Sequence, residues 1–526
     1  MPISPRLPEQ YPIFSVTVVV CSGGAWGVGH GKRGVAVGNR GPAWCSLPVV
    51  TGENPQHVRF LGIAGAGLSA LAHIHLARGG MVSGSDAQDA PRLDALRAAG
   101  ARVRVGAVTD PAVLAAELTG VDVVVASSAF PDDHPELAAA RRCGVPVRRR
   151  SDWLPQLTAG YDLIAVAGSH GKTTTSAMLA LVLRAAGVDP TAVIGAEVAQ
   201  LGGNALVGAG ALFVLEADEY GGAFANLDPA LAVITNVEWE HPDLFPDEAA
   251  VLAAFTAFAA RVRPGGTLVV CGDHPGVQAV LAALPAGHAR VVDYGLQAAR
   301  TWRAVDPRPT PDGGIQATVS RDGHDIGTLT LALPGVHTVL NALAALAVAA
   351  ERGLAVPDTL ATLATYTGAA RRFERVGIAA STDRHGPLEI VDDYAHHPTE
   401  IRVTLAAARQ RAGSRRVWVA VQPHTFSRLA ALMDDFAEAF TDADRVYVTD
   451  IYAAREHDTL GLHACDLAKK IFVPETTYYV PWAELTDRLT TDLSVSLPAA
   501  PDGVLLLTLG AGTITDVGRW VLDALG

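Results

Sequence analysis

From residue 57 onward, short apolar runs alternate with Ala- and Leu-rich stretches of helical length. HVRFLG predicts a strand, GAGLSALAHIHLARGG a turn and helix, and MVSGSD a second strand. VDVVVASSA at 121–129 predicts a further buried strand, and the alternation resumes at YDLIAVAG and RVWVAVQP. Apolar strands alternating with helices predict parallel α/β layers. Pro155 and Gly160 punctuate the chain near residue 157, and a small-residue run after Gly368 does so near residue 370. The expected organisation is therefore α/β in three domains, 55–157, 158–370 and 371–526. Residues 1–54 stand apart. SGGAWGVGHGKRGVAVGNRGPAW is Gly-rich without periodicity, and VTVVV is too short for a signal-peptide core. This leader is expected to be disordered, or to precede the true start of translation near Val50.

Composition narrows the class. Apolar residues make up 49% of the 526 and charged residues 18%, enough for several cores and too apolar for a disordered chain. The formal net charge of −13 argues against a general nucleic-acid binder. No apolar run is long enough to span a bilayer, so membrane insertion is not expected. The five cysteines, Cys21, Cys45, Cys143, Cys271 and Cys465, form no CxxC pair. Neither a disulfide framework nor a zinc site is indicated, and a reducing cytoplasm is expected.

The most informative segment is LIAVAGSHGKTTTSAMLALVLRAAG. An apolar strand runs into Gly168, Ser169, His170, Gly171, Lys172, Thr173 and Thr174, and a helix follows. Glycines let backbone N–H groups turn onto phosphate oxygens, and the helix N-terminus adds the positive end of its dipole. Lys172 is placed for the β/γ-phosphates and Thr173 for magnesium, although GxxGKT is two residues shorter than the general phosphate loop. Downstream, ALFVLEADEY ends a strand at Glu216, Asp218 and Glu219, and LAVITNVEWEHPDLF ends another at Thr235-Asn236, with Glu238, Glu240 and His241 beyond. Acids at strand carboxyl ends beside a phosphate loop can hold a divalent cation between protein and nucleotide oxygens.

A second glycine loop, Gly62, Gly65 and Gly67, follows the first strand, with Asp86 lying 24 positions after Gly62. On residues alone this looks like a dinucleotide fingerprint, though GxxGxG departs from GxGxxG.

These segments resemble the Mur ligases, which build the cell-wall peptide on UDP-N-acetylmuramate. The resemblance extends over nearly all of 57–526. LPGVHTVLNALAALAVA is similar to the family's adenine-contacting helix and GAARRFERVG to its third-domain arginine signature. VDDYAHHPTEI, VQPHTFSR, DIYAARE and LTLGAGTIT follow in the family's order. SHGKTTTS, RRFE, DDYAHHPTEI and QPHTFSR together resemble the L-alanine-adding members. A ligase that recycles murein tripeptide onto the same UDP-sugar acid is the nearest alternative, expected to differ around RRFE and DDYAHHP.

The resemblance implies a Rossmann-like UDP-binding domain, a central P-loop ATPase-type domain and a Rossmann-like third domain. It implies ATP with Mg2+ (or Mn2+), UDP-N-acetylmuramate and L-alanine as substrates, and a monomer or homodimer. Lys172 would contact the γ-phosphate, and Thr173, Glu216 and His241 would ligate the metal. His337 and Asn341 would contact the nucleotide, with Arg372 and Asp393 closing from the third domain. Tyr394, His396 and Arg428 would face the amino acid and the muramyl carboxylate, with His396 placed to help deprotonate the ammonium. Gly65, Gly67, Ser85, Asp86 and Ser128 would hold the UDP-sugar, its diphosphate on the helix N-terminus. Ala107, Thr338, Thr425 and Glu240 depart from the residues usual in the family.

Overall fold

The computed structural model describes residues 56–379 and 386–525; the leader expected over 1–54 lies outside them. Five parallel strands form the first sheet, in the order Arg102–Val105, Met81–Asp86, His57–Leu61, Val123–Ala126 and Val147–Arg149. The chain starts in the middle and winds first to one edge, then to the other. That reversal opens a crevice at the carboxyl ends of His57–Leu61 and Val123–Ala126, where Gly62 and Ser128 follow. His57–Leu61 is buried throughout although it carries His57 and Arg59. Val58 and Phe60 enter the apolar core, whereas Arg59 is paired to Glu117 and Glu136 at 2.5 and 2.9 Å. A buried charge is tolerated when partnered in this way.

The central sheet has ten strands. Its parallel centre runs Arg290–Gly295, Thr267–Cys271, Leu231–Ile234, Asp162–Ala167, Leu212–Glu216 and Thr191–Val198. An antiparallel extension was not apparent from the strand–helix alternation. Trp302–Pro309, Ile315–Arg321 and His324–Leu331 form a meander on one edge. Its last turn is Asp322-Gly323, both with positive φ (51° and 80°), as a tight hairpin requires. Trp302, Ala304, Ile315, Ala317, Val319, Leu329 and Leu331 are the buried half of the meander and join the core of the helices Lys172–Ala185 and Val336–Glu351. Those two helices pack on each other. Ala342, Ala345 and Ala349 keep the second helix slim, while Val339, Leu343 and Leu346 fill the space between. Each fully buried Leu or Val contributes roughly 1.5–3 kcal/mol, so this pair holds the phosphate loop to a rigid base.

The third sheet runs Glu374–Ala379, Leu388–Asp393, Val504–Leu509, Arg416–Val421, Arg445–Val448 and Thr477–Tyr479, antiparallel only at its first pair. All three sheets are α/β layers, as the alternation predicted. No helix among the described residues is long and apolar enough to cross a membrane.

Candidate active site

The strand Asp162–Ala167 runs into Gly168, and the helix begins at Lys172. Gly168 and Gly171 have φ of 138° and 81°, a region most side chains avoid. A Cβ at Gly168 would strike the Thr235 hydroxyl, and one at Gly171 the Asn341 side-chain oxygen. The loop is anchored by the end of the neighbouring strand. The His170 N–H donates to Asn236 Oδ1 at 2.7 Å, and Thr235 Oγ1 donates to the His170 carbonyl at 2.6 Å. The Glu238 N–H donates to Ser169 Oγ at 2.9 Å. Helix N–H groups beyond this loop are free to meet an anion.

Lys172 is partly buried and donates to both oxygens of Glu219, at 3.0 and 2.9 Å, and to the carbonyls of Gly168 and Ser169 at 2.6 and 3.1 Å. Burial opposes its charge, but Glu219 and Asp218 hold its pKa well above the usual lysine range. Thr173 Oγ1 donates to Glu216 Oε1 at 2.9 Å, and burial raises the Glu216 carboxyl. His241 lies with Glu219 and Glu240. One ligand atom from each of the three falls within 4.8 Å of the others. Two carboxylates and an imidazole suit a divalent cation. The residues implied as metal ligands thus fall into two neighbouring groups, Thr173 with Glu216 and His241 with Glu219. Glu219 is one of the strand-end acids that the sequence offers for a cation, although the resemblance implies Thr173, Glu216 and His241 as the ligands.

A cavity of about 210 Å³ adjoins the loop. His170, Gly171, Thr173, Thr174, His337, Asn341, Arg372 and Asp393 line it together, from both the central and third domains. Glu238, one of the strand-end acids, also lines it, together with His274, Leu333, Phe373 and Glu400, which the sequence alone does not mark. Asn341 Oδ1 accepts from Thr175 at 3.3 Å. Burial lowers His337 to about 4, so its ring is neutral. Burial raises Asp393 to about 6 in spite of Arg372, and its two oxygens accept the N–H groups of Phe373 and Ala395 at 2.7 and 2.8 Å. The Arg372 guanidinium lies 5.0 Å from the Tyr394 ring centroid, and Arg371 is spent on Asp392 at 3.1 Å.

Glu400 ties the domains together. It lies 3.3 Å from His170 Nδ1, 3.1 Å from His396 Nδ1 and 3.8 Å from Arg372 Nη1. Burial opposes the charge of His170, but Glu238 and Glu400 raise it to about 10. His396 is likewise raised against burial, by Glu400 and then Glu240. Its neighbour differs. His397 caps the helix Pro398–Ala412 by accepting the Thr399 N–H, and burial with His170 nearby lowers it to about 4. Arg428 is buried, with Nη2 3.2 Å from Glu240 Oε1 and Nη1 2.7 Å from His424 Nδ1. His241, Arg371, Phe373 and Thr425 all have positive φ, between 51° and 62°. Such backbone outliers outside glycine concentrate at functional sites.

Family models match nearly the whole described chain in this order. The Mur ligase family catalytic domain covers 57–162, the Mur ligase middle domain 166–349 and the Mur ligase glutamate ligase domain 371–512. The chain is a Mur ligase.

It is 65% identical to the UDP-N-acetylmuramate–L-alanine ligase of Frankia casuarinae over 497 residues, which cover 91% of this chain and 99% of that relative. Its structure is similar to the UDP-N-acetylmuramate–alanine ligase of Thermotoga maritima, with a TM-score of 0.71 at 27% identity, covering 89% of this chain and 98% of the other. The murein peptide ligase of Psychrobacter arcticus is also similar, with a TM-score of 0.65 at 25% identity, covering 90% and 99%. Mur ligases use ATP.

In the first domain of this Mur ligase, Gly65 caps the helix Ala66–Ala77 with its N-terminus toward the crevice. Asp86 Oδ2 accepts the Ala64 N–H at 2.8 Å and so fixes the glycine loop. Ser85 is 1% exposed and donates to Glu136 at 2.7 Å, which commits it to the interior network. Ser128 approaches Gly221 of the central domain, and the Arg150 guanidinium lies against Gly67. Arg150 also reaches Asp218 of the central domain at 3.4 Å. It had not been foreseen, although the run RRRS carries it.

Proposed function

We propose that this Mur ligase joins L-alanine to the lactyl carboxylate of UDP-N-acetylmuramate, consuming ATP and releasing ADP and phosphate. The observation that carries the reading is the junction of the phosphate loop with Arg372, His396 and Arg428 across one domain seam. The relatives named above as alanine ligases support the amino acid.

A carboxylate is a poor acyl donor and must be activated. Its oxygen attacks the γ-phosphorus, ADP leaves, and an acyl phosphate forms. The amine of alanine then attacks the acyl carbon, phosphate leaves, and the amide remains once the nitrogen loses its proton. Lys172, released from Glu219, follows the charge on the moving phosphoryl group. Thr173, Glu216, Glu219 and His241 would hold Mg2+ (or Mn2+), which when bound neutralises phosphate charge. Arg372 and Asp393 close the nucleotide cavity from the third domain, and water is excluded there. His396 faces Glu240 and Glu400, a setting that favours its cationic form, and with Tyr394 and Arg428 it orients the amino-acid carboxylate. Gly65, Gly67, Asp86 and Ser128 face the crevice proposed for the UDP moiety. On the same reading the enzyme works in the cytoplasm, where ATP is available, as a monomer or homodimer.

The test is phosphate release measured with ATP, UDP-N-acetylmuramate and an amino acid, each omitted in turn. Release that needs all three supports ligation. Release with ATP alone at the same rate contradicts it.

A further inference from the structure

Glu240 belongs to the trio with Glu219 and His241 that suits a cation, but its closest charged partners lie on the third domain. Its side chain is 5% exposed and that of Arg428 3%, and they meet at 3.2 Å across the seam between the central and third domains. His396 Nε2 lies 3.3 Å from the same oxygen, Oε1. His241, with φ 55°, bridges the two sides, its Nε2 3.6 Å from Glu219 and its Nδ1 3.4 Å from Arg428, whereas Glu240 is closest to Arg428 and His396, at 3.2 and 3.3 Å, with His241 Nε2 at 4.0 Å. Arg428 Nε is buried without a hydrogen-bond partner, so its guanidinium is not fully used. A buried ion pair contributes little net stability because desolvation offsets its attraction. Its presence in a substrate seam calls for another reason.

An α-amino acid is a zwitterion, and a buried Arg–Glu pair is its charge complement. We propose that Glu240 receives the α-ammonium of the incoming amino acid, while Arg428 and His396 receive its carboxylate. This rests on the amino-acid site proposed above. In the resting enzyme one oxygen of Glu240 meets Arg428 Nη2 where the substrate's carboxylate would bind, and each partner keeps the other neutralised. On binding, the substrate carboxylate displaces it, and Glu240 is left facing the ammonium. The same arrangement selects against acceptors that lack either charge.

The experiment compares wild type, E240Q and E240D, with L-alanine as acceptor and propionate, which has the carboxylate without the ammonium, as competitor. Losing a charged hydrogen bond costs at least ~10-fold. E240Q is expected to raise KM for L-alanine by at least ~10-fold while KM for ATP and the Mg2+ response stay within about twofold of wild type. Propionate inhibition should be unchanged or stronger, since Glu240 no longer competes for Arg428. E240D should recover most of the alanine affinity. Equal weakening of alanine and propionate would overturn the proposal in favour of a purely structural role. A shifted Mg2+ response with unchanged alanine KM would overturn it in favour of a metal ligand. Wild-type turnover with L-alanine tests the amino-acid reading by itself, so the two failures are distinguishable.

Discussion

Lys172 Nζ donates to both carboxylate oxygens of Glu219, at 3.0 and 2.9 Å, in the interior of the central domain. On the proposed reading a γ-phosphate draws the ammonium away from this carboxylate, which until then keeps the lysine charged. K172A is expected to reduce ligation at least ~10³-fold, because a transition-state charge clamp is lost. Steady-state kinetics on protein with unchanged circular dichroism checks this. Near-normal turnover in a folded variant contradicts the phosphate-loop assignment.

His170 joins the phosphate loop to Glu238 and Glu400, each at 3.3 Å. Its pKa is raised to about 10 from an unfolded value of ~6.5. The stabilisation is therefore complete below the unfolded value and fades as pH rises toward the folded one. Urea unfolding at several pH values from neutral upward should show stability falling by roughly 2–4 kcal/mol in wild type. H170Q should lack most of that slope, and an equal slope in both proteins would remove His170 as its cause.

Glu136 accepts from Arg59, Arg104 and Ser85 at 2.9, 2.7 and 2.7 Å under the first sheet. Burial would raise its carboxyl, but these partners lower it. Its contribution is thus present at neutral pH and lost as pH falls through the depressed value. E136A leaves Arg59 buried with one partner fewer and should cost roughly 3–5 kcal/mol in the unfolding of that domain. A variant as stable as wild type would show the network to be dispensable.

Glycine should replace L-alanine with a loss of only ~10–200-fold in kcat/KM, since a small apolar pocket discriminates weakly against a missing methyl. Competition between the two amino acids at fixed ATP measures this directly. A loss much greater than that range would mean that the methyl group is recognised by more than an apolar pocket.

Local motifs carried much of the site. Gly168 and Gly171 were readable because their backbone conformation excludes other residues, and Asp162–Ala167 because a buried parallel strand is continuously apolar. The meander Trp302–Leu331 was harder to read, because its strands are exposed on one side and its apolar residues are spaced and weak. Partners that act across domains were the least legible. Glu400 reads as an ordinary first-turn acid of the helix Pro398–Ala412, and only folding brings it to His170 and Arg372. Ser85 was visible as a strand-end hydroxyl, whereas Glu136, which accepts its hydrogen bond, lies 51 residues away.

The most direct measurement sets a panel of free amino acids and the murein tripeptide against UDP-N-acetylmuramate and ATP, following amide product and phosphate together. L-alanine should give the highest kcat/KM, with one phosphate released per amide formed. Tripeptide ligated far faster than L-alanine would contradict the alanine ligase and make the enzyme a peptide-recycling ligase instead.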